Sequence, residues 1–497
     1  MSRNILRVTD IKKSFGGVEA LKGVSLEIGA GEIHCLAGEN GCGKSTLIKI
    51  VSGFYEADAG SIELNGQRFS RLSPSDAIAK GVQVIYQDFS VFPNLTVMEN
   101  LSLNMELMDK RTFVSYPRMR RIAKEAVAKI GFDVDLDERV ENLSIADKQL
   151  IAVCRALLYD AKLVIMDEPT TALTKKEVKA LFGVIKNLQS QGIATLFVSH
   201  KLDEVFEISE RFTILRNGEN VVTGSTSDLD SKKFAYYMTG REFSEESYEP
   251  VSISEKAILS VRGLTLKNGY ADIRFDLHGG EILGITGLLG SGRTELVQSL
   301  FGIYRPDSGT LEVEGKPVTI RSVKDAIALG IGYVPSDRLT EGLFLAQSIE
   351  RNAVISSLEK LSSIGGFLDE RKILDQVASW ISELSIATSD AGRPVKTLSG
   401  GNQQKVVLAR WLANNLKVLI LNGPTVGVDI GSKYDIHALL RKLAAGGLAI
   451  VVISDDLPEI LACCNRVIVM RDGSIVEELR AAETTESRLG EIATGVA

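Results

Sequence analysis

The chain has 497 residues and a formal net charge of −7, and 44% of its residues are hydrophobic. This length exceeds one ordinary core and predicts two domains of about 250 residues, while the acidic balance argues against a nucleic-acid partner. No run approaches the ~18 apolar residues that span a bilayer, and the amino end carries no apolar segment typical of a secretory signal. Five cysteines without C-x-x-C spacing indicate free thiols, so we expect a soluble chain in a reducing, cytoplasmic compartment.

The first nucleotide motif follows a short predicted strand. Residues 5–37 alternate as β-strands do, and the apolar run 32–37 leads into the sequence GENGCGKS at residues 38–45. The spacing is G-x-x-x-x-G-K-[ST], and the residues from Ser45 onward are typical of a helix. In such a loop the backbone amides bind phosphate, the lysine neutralises β- and γ-phosphate charge, and the hydroxyl binds Mg²⁺. The sequence therefore predicts a nucleotide site around Lys44 and Ser45.

Two further buried strands are predicted to end at polar residues. Residues 163–166 precede Asp167 and Glu168, and residues 194–198 precede Ser199 and His200. The acidic pair alone is equally consistent with a solvated turn. Beside a phosphate loop, Asp167 is expected to hold Mg²⁺ through water and Glu168 to orient or activate water. Residues 87–142 are mainly helical in pattern, which predicts an inserted helical subdomain.

The second half of the chain repeats the plan of the first. The sequence GLLGSGRT at residues 287–294 has the spacing of the first loop, with Arg293 lying 249 positions after Lys44. The same offset separates two pairs of turn glycines, which indicates a duplication. We predict one domain at residues 1–245, a short acidic linker at 246–255 and a second domain at 256–497. A polar, frayed tail is expected near residues 481–486.

The complete motif set resembles that of ABC-transporter ATPases. It comprises DEPT at 167–170, FVSH at 197–200, Gln87, and LSGGNQQK at 398–405 in the second half. The SGGNQQK signature, together with GLLGSGRTEL in the second loop, more narrowly resembles the tandem ATP-binding subunits of bacterial sugar importers.

The resemblance implies an α/β fold with two tandem P-loop ATPase domains, each with a RecA-like α/β core, an antiparallel β subdomain and a helical subdomain. It implies ATP and Mg²⁺ as ligands. Phe15 would stack on adenine, with a core phenylalanine as the alternative. Gln87 would sense Mg²⁺ and the γ-phosphate, and His200 would contact the γ-phosphate.

In that family two cassettes sandwich ATP head to tail, so each site joins the phosphate loop of one half to the signature of the other. Site one joins the amino-terminal loop to the carboxy-terminal signature and keeps the residues of the family pattern, apart from Asn402 in place of glutamine. Its expected catalytic residues are Glu168, His200 and Gln87. Its expected Mg²⁺ ligands are Ser45, Gln87 and, through water, Asp167. Its expected ATP-binding residues are Phe15, Gly38, Glu39, Asn40, Gly41, Cys42, Gly43, Lys44, Ser45, Thr46, Ser399, Gly400, Gly401, Asn402 and Asp429.

Site two would join the carboxy-terminal loop to the amino-terminal signature, and it departs from the family pattern at almost every position. Its loop lacks the lysine, its strand end lacks both carboxylates, and its signature lacks both glycines. Thr174 and Ser336 also stand where the family has aspartate and glutamine. The residues assigned to this degenerate site are Gly287, Gly292, Arg293, Thr294, Ser144, Asp147, Asn422, Gly423 and Asp455. The losses follow the composite sites rather than the halves, which favours the head-to-tail sandwich. Because Asn422 and Gly423 replace the two carboxylates, we expect site two to bind nucleotide without hydrolysing it, or to stay empty.

Cys42 lies within the first loop, at a helix amino end and beside Lys44. Such an environment lowers the pKa of a thiol, so Cys42 is a candidate reporter of site one. A small residue that merely fills the loop is an equally good interpretation.

The resemblance implies an ATPase that energises sugar import from the cytoplasmic face of the membrane. Its partners would be separate transmembrane permease subunits and an extracytoplasmic solute-binding protein, with one tandem chain per permease dimer. Residues 92–95 and 343–345 are candidate docking sites for the permease, with ordinary loop residues as the alternative. The cargo stays open. A soluble twin-cassette ATPase of the ribosome is the alternative function, although the short acidic linker and the degenerate second site speak against it; a tandem DNA-repair cassette would require long insertions that are absent from the sequence.

Overall fold

The computed structural model describes residues 4–86, 91–108, 114–170, 173–242, 253–362 and 367–495. The chain divides into two compact units, Met1–Phe243 (unit 1) and Ser244–Ala497 (unit 2). Of the predicted linker at 246–255, residues 253–255 are described, and Gln87 lies outside the described ranges. No helix in those ranges is long and apolar enough to cross a membrane.

Unit 1 contains two β-sheets in its described part. The strands are β1 (Asn4–Phe15), β2 (Val18–Gly29), β3 (Ile33–Gly38), β4 (Ala59–Leu64), β5 (Gln67–Phe69), β6 (Val82–Ile85), β7 (Leu163–Asp167), β8 (Ala194–Val198), β9 (Arg211–Arg216) and β10 (Glu219–Ser225). The first sheet is antiparallel, in the order β2-β1-β4-β5. The second has the order β10-β9-β3-β8-β7-β6 and is parallel except at the β10 edge.

The helices of unit 1 cover the parallel sheet and form one separate cluster. They are α1 (Lys44–Val51), α2 (Pro74–Ala79), α3 (Val97–Met108), α4 (Tyr116–Ile130), α5 (Ile145–Leu157), α6 (Lys175–Ser190), α7 (Leu202–Ile208) and α8 (Ser231–Thr239). Helices α3, α4 and α5 enclose their own apolar core, to which Leu101, Met119 and Ile151 contribute. Helices α3 and α4 lie within the helical subdomain predicted at residues 87–142, and α5, which completes the cluster, lies beyond it.

Unit 2 repeats the topology of unit 1. Its strands are β11 (Ala257–Leu266), β12 (Tyr270–His278), β13 (Ile282–Thr286), β14 (Ser308–Val313), β15 (Lys316–Val318), β16 (Ile331–Val334), β17 (Val418–Asn422), β18 (Ala449–Ile453), β19 (Arg466–Arg471) and β20 (Ser474–Arg480). Its helices are α9 (Arg293–Leu300), α10 (Val323–Ala328), α11 (Ile349–Val354), α12 (Glu370–Glu383), α13 (Gly400–Leu412), α14 (Ile430–Ala445), α15 (Leu457–Cys463) and α16 (Glu486–Thr494). The sheet orders are β12-β11-β14-β15 and β16-β17-β18-β13-β19-β20, so each strand has its counterpart in unit 1. The predicted α/β fold class with two repeated halves is confirmed.

The central parallel strands read as continuous apolar runs because both of their faces are buried. The strand β7 is Leu-Val-Ile-Met-Asp and β17 is Val-Leu-Ile-Leu-Asn, and their apolar residues have no exposed surface. In each run the first polar side chain stands at the carboxyl end. Parallel strands present these ends at one edge of the sheet, where α/β proteins bind their ligands.

The carboxy-terminal end of unit 2 differs from its prediction. Residues Ala481–Glu483 form a 3₁₀ turn, and α16 follows directly after it. Leu489, Ile492 and Ala493 of α16 are buried. The prediction of a frayed tail was wrong because the polar composition of 481–486 concealed a Thr485 helix cap and the apolar face of the helix after it.

Candidate active site

The loop between β3 and α1 has the backbone shape that glycine permits. Gly38, Gly41 and Gly43 have φ of 158°, 84° and 109°. A Cβ on Gly43 would lie 2.6 Å from the Leu21 Cδ2 and 2.8 Å from the Ala20 carbonyl, so no larger residue fits there. Among the described residues no side chain caps α1. The amides at its amino end are therefore not taken by a side chain, as in an anion site.

Lys44 is folded back over this loop. Its Nζ donates hydrogen bonds to the carbonyl oxygens of Gly38 at 2.6 Å and of Glu39 at 3.0 Å, and the residue is 6% exposed. Two carbonyl oxygens thus hold the buried Lys44 ammonium at the loop that is expected to bind phosphate.

Three titratable side chains meet at the ends of β7 and β8. His200 Nδ1 donates to Glu168 Oε1 at 3.2 Å, and this hydrogen bond is the main cause that lowers the pKa of Glu168. Burial, followed by the charge of Glu168, raises the pKa of Asp167. Two neighbouring carboxylates with their pKa values pushed apart are typical of an active site. The arrangement keeps Glu168 ionised, as a base requires.

Glu168 has a left-handed backbone conformation, with φ of 48°. This conformation is unusual for a glutamate and carries strain. The Glu168 amide donates to the Val198 carbonyl of β8 at 3.2 Å, which holds the residue at the end of that strand. A residue in this conformation thus carries the carboxylate that bonds His200.

A cavity of about 370 Å³ brings most of the predicted unit 1 residues together. It is lined by Ala20, Asn40, Gly41, Gly43, Lys44, Ser45, Thr46, Asp167 and Glu168. Ser45 Oγ donates to Asp167 Oδ2 at 3.4 Å on its wall. Hydroxyl and carboxylate oxygens at this spacing suit a hard divalent cation such as Mg²⁺. The cavity combines a phosphate loop, a metal-type donor pair and a candidate base.

Phe15 and Cys42 differ in how they match their predictions. Phe15 is 41% exposed and packs edge-to-face on Tyr55 with ring centroids 5.1 Å apart, so its ring is not a core residue. Cys42 is 5% exposed, and burial raises the pKa of its thiol. The expectation of a lowered Cys42 pKa was wrong because burial outweighs the attraction of Lys44. The predicted Gln87 lies outside the described residues.

The unit 2 signature residues are grouped around the start of α13. Ser399 precedes the helix, and its Oγ accepts a hydrogen bond from Asn402 Nδ2 at 2.9 Å. A Cβ on Gly401 would lie 1.9 Å from Ser432 Oγ in the first turn of α14. Asp429 caps that helix by accepting from the Ser432 amide at 2.8 Å. Gly401 therefore lets the first turn of α13 approach the first turn of α14, which Asp429 caps.

The unit 1 signature is arranged differently. Ser144 Oγ donates to Asp147 Oδ2 at 2.8 Å and accepts from the Asp147 amide at 3.1 Å. In unit 2 the Ser399 hydroxyl accepts a hydrogen bond from Asn402, so its own O–H can donate to another acceptor. In unit 1 the Ser144 O–H already donates a hydrogen bond to Asp147. A hydroxyl whose proton is bound by a neighbouring carboxylate is a poor donor to phosphate.

The degenerate residues of unit 2 also lie together. Arg293 donates to the Gly287 carbonyl at 2.5 Å and to Asp455 Oδ1. Asn422 Nδ2 donates to the Tyr333 hydroxyl at 3.4 Å. Gly423 has φ of 62°, so it keeps the conformation of Glu168 without the carboxylate. The unit 2 edge has no carboxylate at either of the two positions where unit 1 has Asp167 and Glu168.

The sequence reasoning missed Arg338. Its guanidinium donates to the carbonyl oxygens of Val426 at 2.5 Å and Gly427 at 2.9 Å. A Cβ on Gly400 would lie 2.7 Å from the same guanidinium. Arg338 thus joins the loop before Asp429 to the start of the signature helix. The sequence offered one indication of Arg338: it lies two residues after Ser336, and Ser336 stands where the family has glutamine.

The two candidate docking segments have the same construction. Phe92 is 46% exposed and Phe344 is 56% exposed. Asn100 bonds both backbone groups of Phe92, at 2.8 and 2.9 Å, and Asn352 does the same for Phe344, at 2.9 and 3.0 Å. Each aromatic ring is thereby presented to solvent on a rigid backbone.

The family profile and the curated sequence relatives agree on one family. The profile of the family described as "ABC transporter" matches residues 21–171 and 270–426. A ribose import ATP-binding protein of Rubrobacter xylanophilus is 42% identical over 99% of this chain and 95% of its own length. One from Bacillus licheniformis is 39% identical over 99% of both chains. A solved nucleotide-free ATP-binding cassette from an ABC transporter is 27% identical, covering 45% of this chain and 91% of that chain, with a TM-score of 0.41.

Proposed function

This chain belongs to the ABC transporter family, and we propose that it is the ATP-hydrolysing subunit of a bacterial importer for a sugar or sugar-like solute. The observation that carries the proposal is the unit 1 cavity, where the phosphate loop meets Asp167 and Glu168. The names of the relatives, which are ribose import ATP-binding proteins, favour a sugar as cargo. No relative reported above supports the ribosomal alternative.

Different residues of unit 1 bind the phosphates, activate the water and contact the adenine. The loop amides and Lys44 bind the phosphate chain and neutralise charge on the β- and γ-phosphates. Glu168, kept ionised by its hydrogen bond with His200, accepts the proton of the attacking water. His200 contacts the γ-phosphate, and Phe15 provides a half-exposed ring for the adenine.

The residues present fit Mg²⁺. Ser45 and Asp167 supply oxygen ligands on the cavity wall, the aspartate through water, and Gln87 completes the predicted set. When bound, Mg²⁺ lowers the charge of the phosphate chain and so favours attack on it.

Site one is completed by the unit 2 signature. In this proposal Ser399, Gly401 and Asp429 face the ATP held by the phosphate loop at residues 38–45, loop one. Support comes from the partition of intact motifs, since unit 1 keeps its loop and loses its signature while unit 2 does the reverse. Site two, built from the degenerate residues, hydrolyses no ATP because Gly423 supplies no base and Asn422 supplies no carboxylate for the metal.

The chain acts at the cytoplasmic face of the membrane through separate permease subunits, with one tandem chain for each permease dimer. Residues 92–95 and 343–345, with their exposed phenylalanines, contact those subunits. An extracytoplasmic solute-binding protein delivers the cargo. The two units in one polypeptide support a single copy.

The function is tested by sugar uptake. The gene is deleted in its own host, and uptake of radiolabelled ribose and galactose is measured after complementation with the wild-type chain, Glu168→Gln or Glu207→Gln. Glu207 is exposed on α7 and provides the matched charge-removing control. We expect wild type and the control to restore uptake of at least one sugar and Glu168→Gln to fail.

Unchanged uptake of both sugars in the deletion strain, accompanied by an altered polysome profile, would replace the importer by the ribosomal alternative. Full uptake with Glu168→Gln would remove Glu168 from the catalytic assignment.

A further inference from the structure

Loop two, residues 287–294, keeps the backbone of a phosphate site. Gly287, Gly290 and Gly292 have φ of 153°, 83° and 88°, close to the 158°, 84° and 109° of their counterparts in loop one. The helix α9 begins at Arg293 as α1 begins at Lys44, and no described side chain caps either helix. Loop two therefore keeps the backbone conformation of a phosphate site although the catalytic residues are missing from unit 2.

A second feature of loop two indicates a ligand. Ser291 is 4% exposed, and its Oγ has no hydrogen-bond partner among the described residues. A Cβ on Gly287 would lie 2.8 Å from that oxygen, which places it inside the loop. A buried hydroxyl left unpaired is costly, and an anionic ligand in the cradle would supply the missing acceptor.

The cationic side chain of loop two, Arg293, already forms an ion pair. Arg293 is buried and donates to Asp455 Oδ1, whereas the Asp455 side chain is 75% exposed. Arg293 and Lys44 both bond the first glycine carbonyl of their loops, and the contact with Asp455 is the additional one in loop two. The basic residue at this position reaches the β- and γ-phosphates of a bound triphosphate. Asp455 thus holds, on the solvent side of Arg293, the place that a terminal phosphate would take.

The carboxylate that would direct a metal is missing at the same edge. Asn422, in the place of Asp167, is 8% exposed and donates to Tyr333, and its neutral amide adds no negative charge for a cation. Without Mg²⁺ a triphosphate carries its full charge toward the Asp455 carboxylate, and like charges at contact distance repel. A diphosphate ends at the β-phosphate, which the loop amides bind without meeting that carboxylate.

We propose that loop two is a metal-independent binding site for nucleoside diphosphates, and that Asp455 excludes the γ-phosphate from it. The inference rests on the proposed function for the nucleotide chemistry of the chain. Site two then binds ADP rather than a second ATP, and ADP remains bound there while site one hydrolyses ATP.

The test is hydrogen exchange followed by mass spectrometry on the full chain. Peptides covering residues 38–45 and 287–294 differ in sequence and report separately on the two loops. Each peptide is titrated with ADP and with ATP, in Mg²⁺ and in EDTA. Wild type is compared with Asp455→Asn and with Asp472→Asn. Asp472 is exposed and precedes Gly473, whose amide donates to the Ser291 carbonyl of loop two. The φ of Asp472 is 50°, a conformation that suits asparagine. This control therefore removes a charge near loop two without altering the contacts of Arg293.

We expect ADP to protect wild-type loop two at a concentration at least about tenfold below that of ATP, equally in Mg²⁺ and in EDTA. Asp455→Asn should lower the ATP concentration for half-protection on the order of tenfold and change that of ADP little, because one like charge has been removed. Asp472→Asn should leave both unchanged. Loop one should need Mg²⁺ for full protection by ATP.

Two results overturn the inference. Equal protection of loop two by Mg²⁺-ATP and ADP in wild type, unchanged in Asp455→Asn, would remove the discriminating role of Asp455. Protection of loop one without any protection of loop two would show that loop two binds no nucleotide. Both results leave the proposed function standing, whereas a lack of protection of either loop would contradict the proposed function itself.

Discussion

Glu168 and Gly423 follow matching central strands, and both have positive φ, 48° and 62°. Left-handed backbone costs a glutamate about 1 kcal/mol that glycine avoids. Unit 2 has the unstrained residue and no base, whereas unit 1 retains the strained glutamate in contact with His200. Strain kept at a non-glycine residue in a cavity marks a functional position.

Substitution of Glu168 should therefore abolish turnover. We expect Glu168→Gln to reduce steady-state ATP hydrolysis on the order of 10²-fold or more, since the amide accepts no proton. Arg293→Ala, which alters loop two at the position of Lys44, should change the rate little. Phosphate release from the purified chain measures both rates, and comparable losses in the two variants would contradict the assignment of hydrolysis to site one.

The His200 hydrogen bond predicts a pH effect. It holds the pKa of Glu168 below its usual value, so the base stays ionised into mildly acidic solution and loses activity as pH falls through that lowered pKa. In His200→Ala the acid limb of kcat/KM should move to higher pH. His200→Asn, which keeps a donor near the Nδ1 position, should shift it less. An acid limb that is the same in all three proteins would separate Glu168 from the titration.

At the scale of elements, the signature depends on how closely α13 packs on α14. Gly401 faces Ser432 across this contact, and a Cβ there would lie 1.9 Å from the serine Oγ and 2.3 Å from its Cβ. The signature glycine is therefore required by helix packing, apart from any contact with nucleotide.

Gly401→Ala should destabilise unit 2 by about 1–3 kcal/mol, the usual cost of overpacking. Ser432→Gly in the same chain removes both close atoms and should recover most of the lost stability. Thermal unfolding of the single and double variants measures this. A double variant no more stable than Gly401→Ala would contradict the packing explanation.

The elements that could be predicted are the ones whose information is local. The strand, the glycine loop and the helix of loop one are adjacent in sequence, and their spacing predicted the cavity around Lys44. Arg338 was missed because its contacts with residues 426 and 427 join segments 88 and 89 positions apart. The pKa of Cys42 was predicted in the wrong direction because burial depends on tertiary packing, which the loop sequence does not contain.

At the scale of the whole molecule, the duplicated topology explains why the differences between the units are informative. Each strand of unit 1 has a counterpart in unit 2, so each substitution can be compared in a matched backbone. Loop one with Glu168 is intact in unit 1, and Ser399 with Asn402 is intact in unit 2. The contact of Arg293 with Asp455, 162 positions apart, could not be predicted from either motif alone.

We propose that loop one and the unit 2 signature of the same chain form the hydrolytic site. The variant Asn402→Asp tests this proposal, because it places a carboxylate at the position that corresponds to Asp147 of unit 1. ATP hydrolysis is measured for Asn402→Asp, for Glu168→Gln and for an equal mixture of the two proteins. We predict a loss on the order of tenfold for Asn402→Asp, and a mixture whose rate is the mean of its parts. Wild-type activity of Asn402→Asp would contradict the composite site, and a mixture well above that mean would show that the site forms between chains.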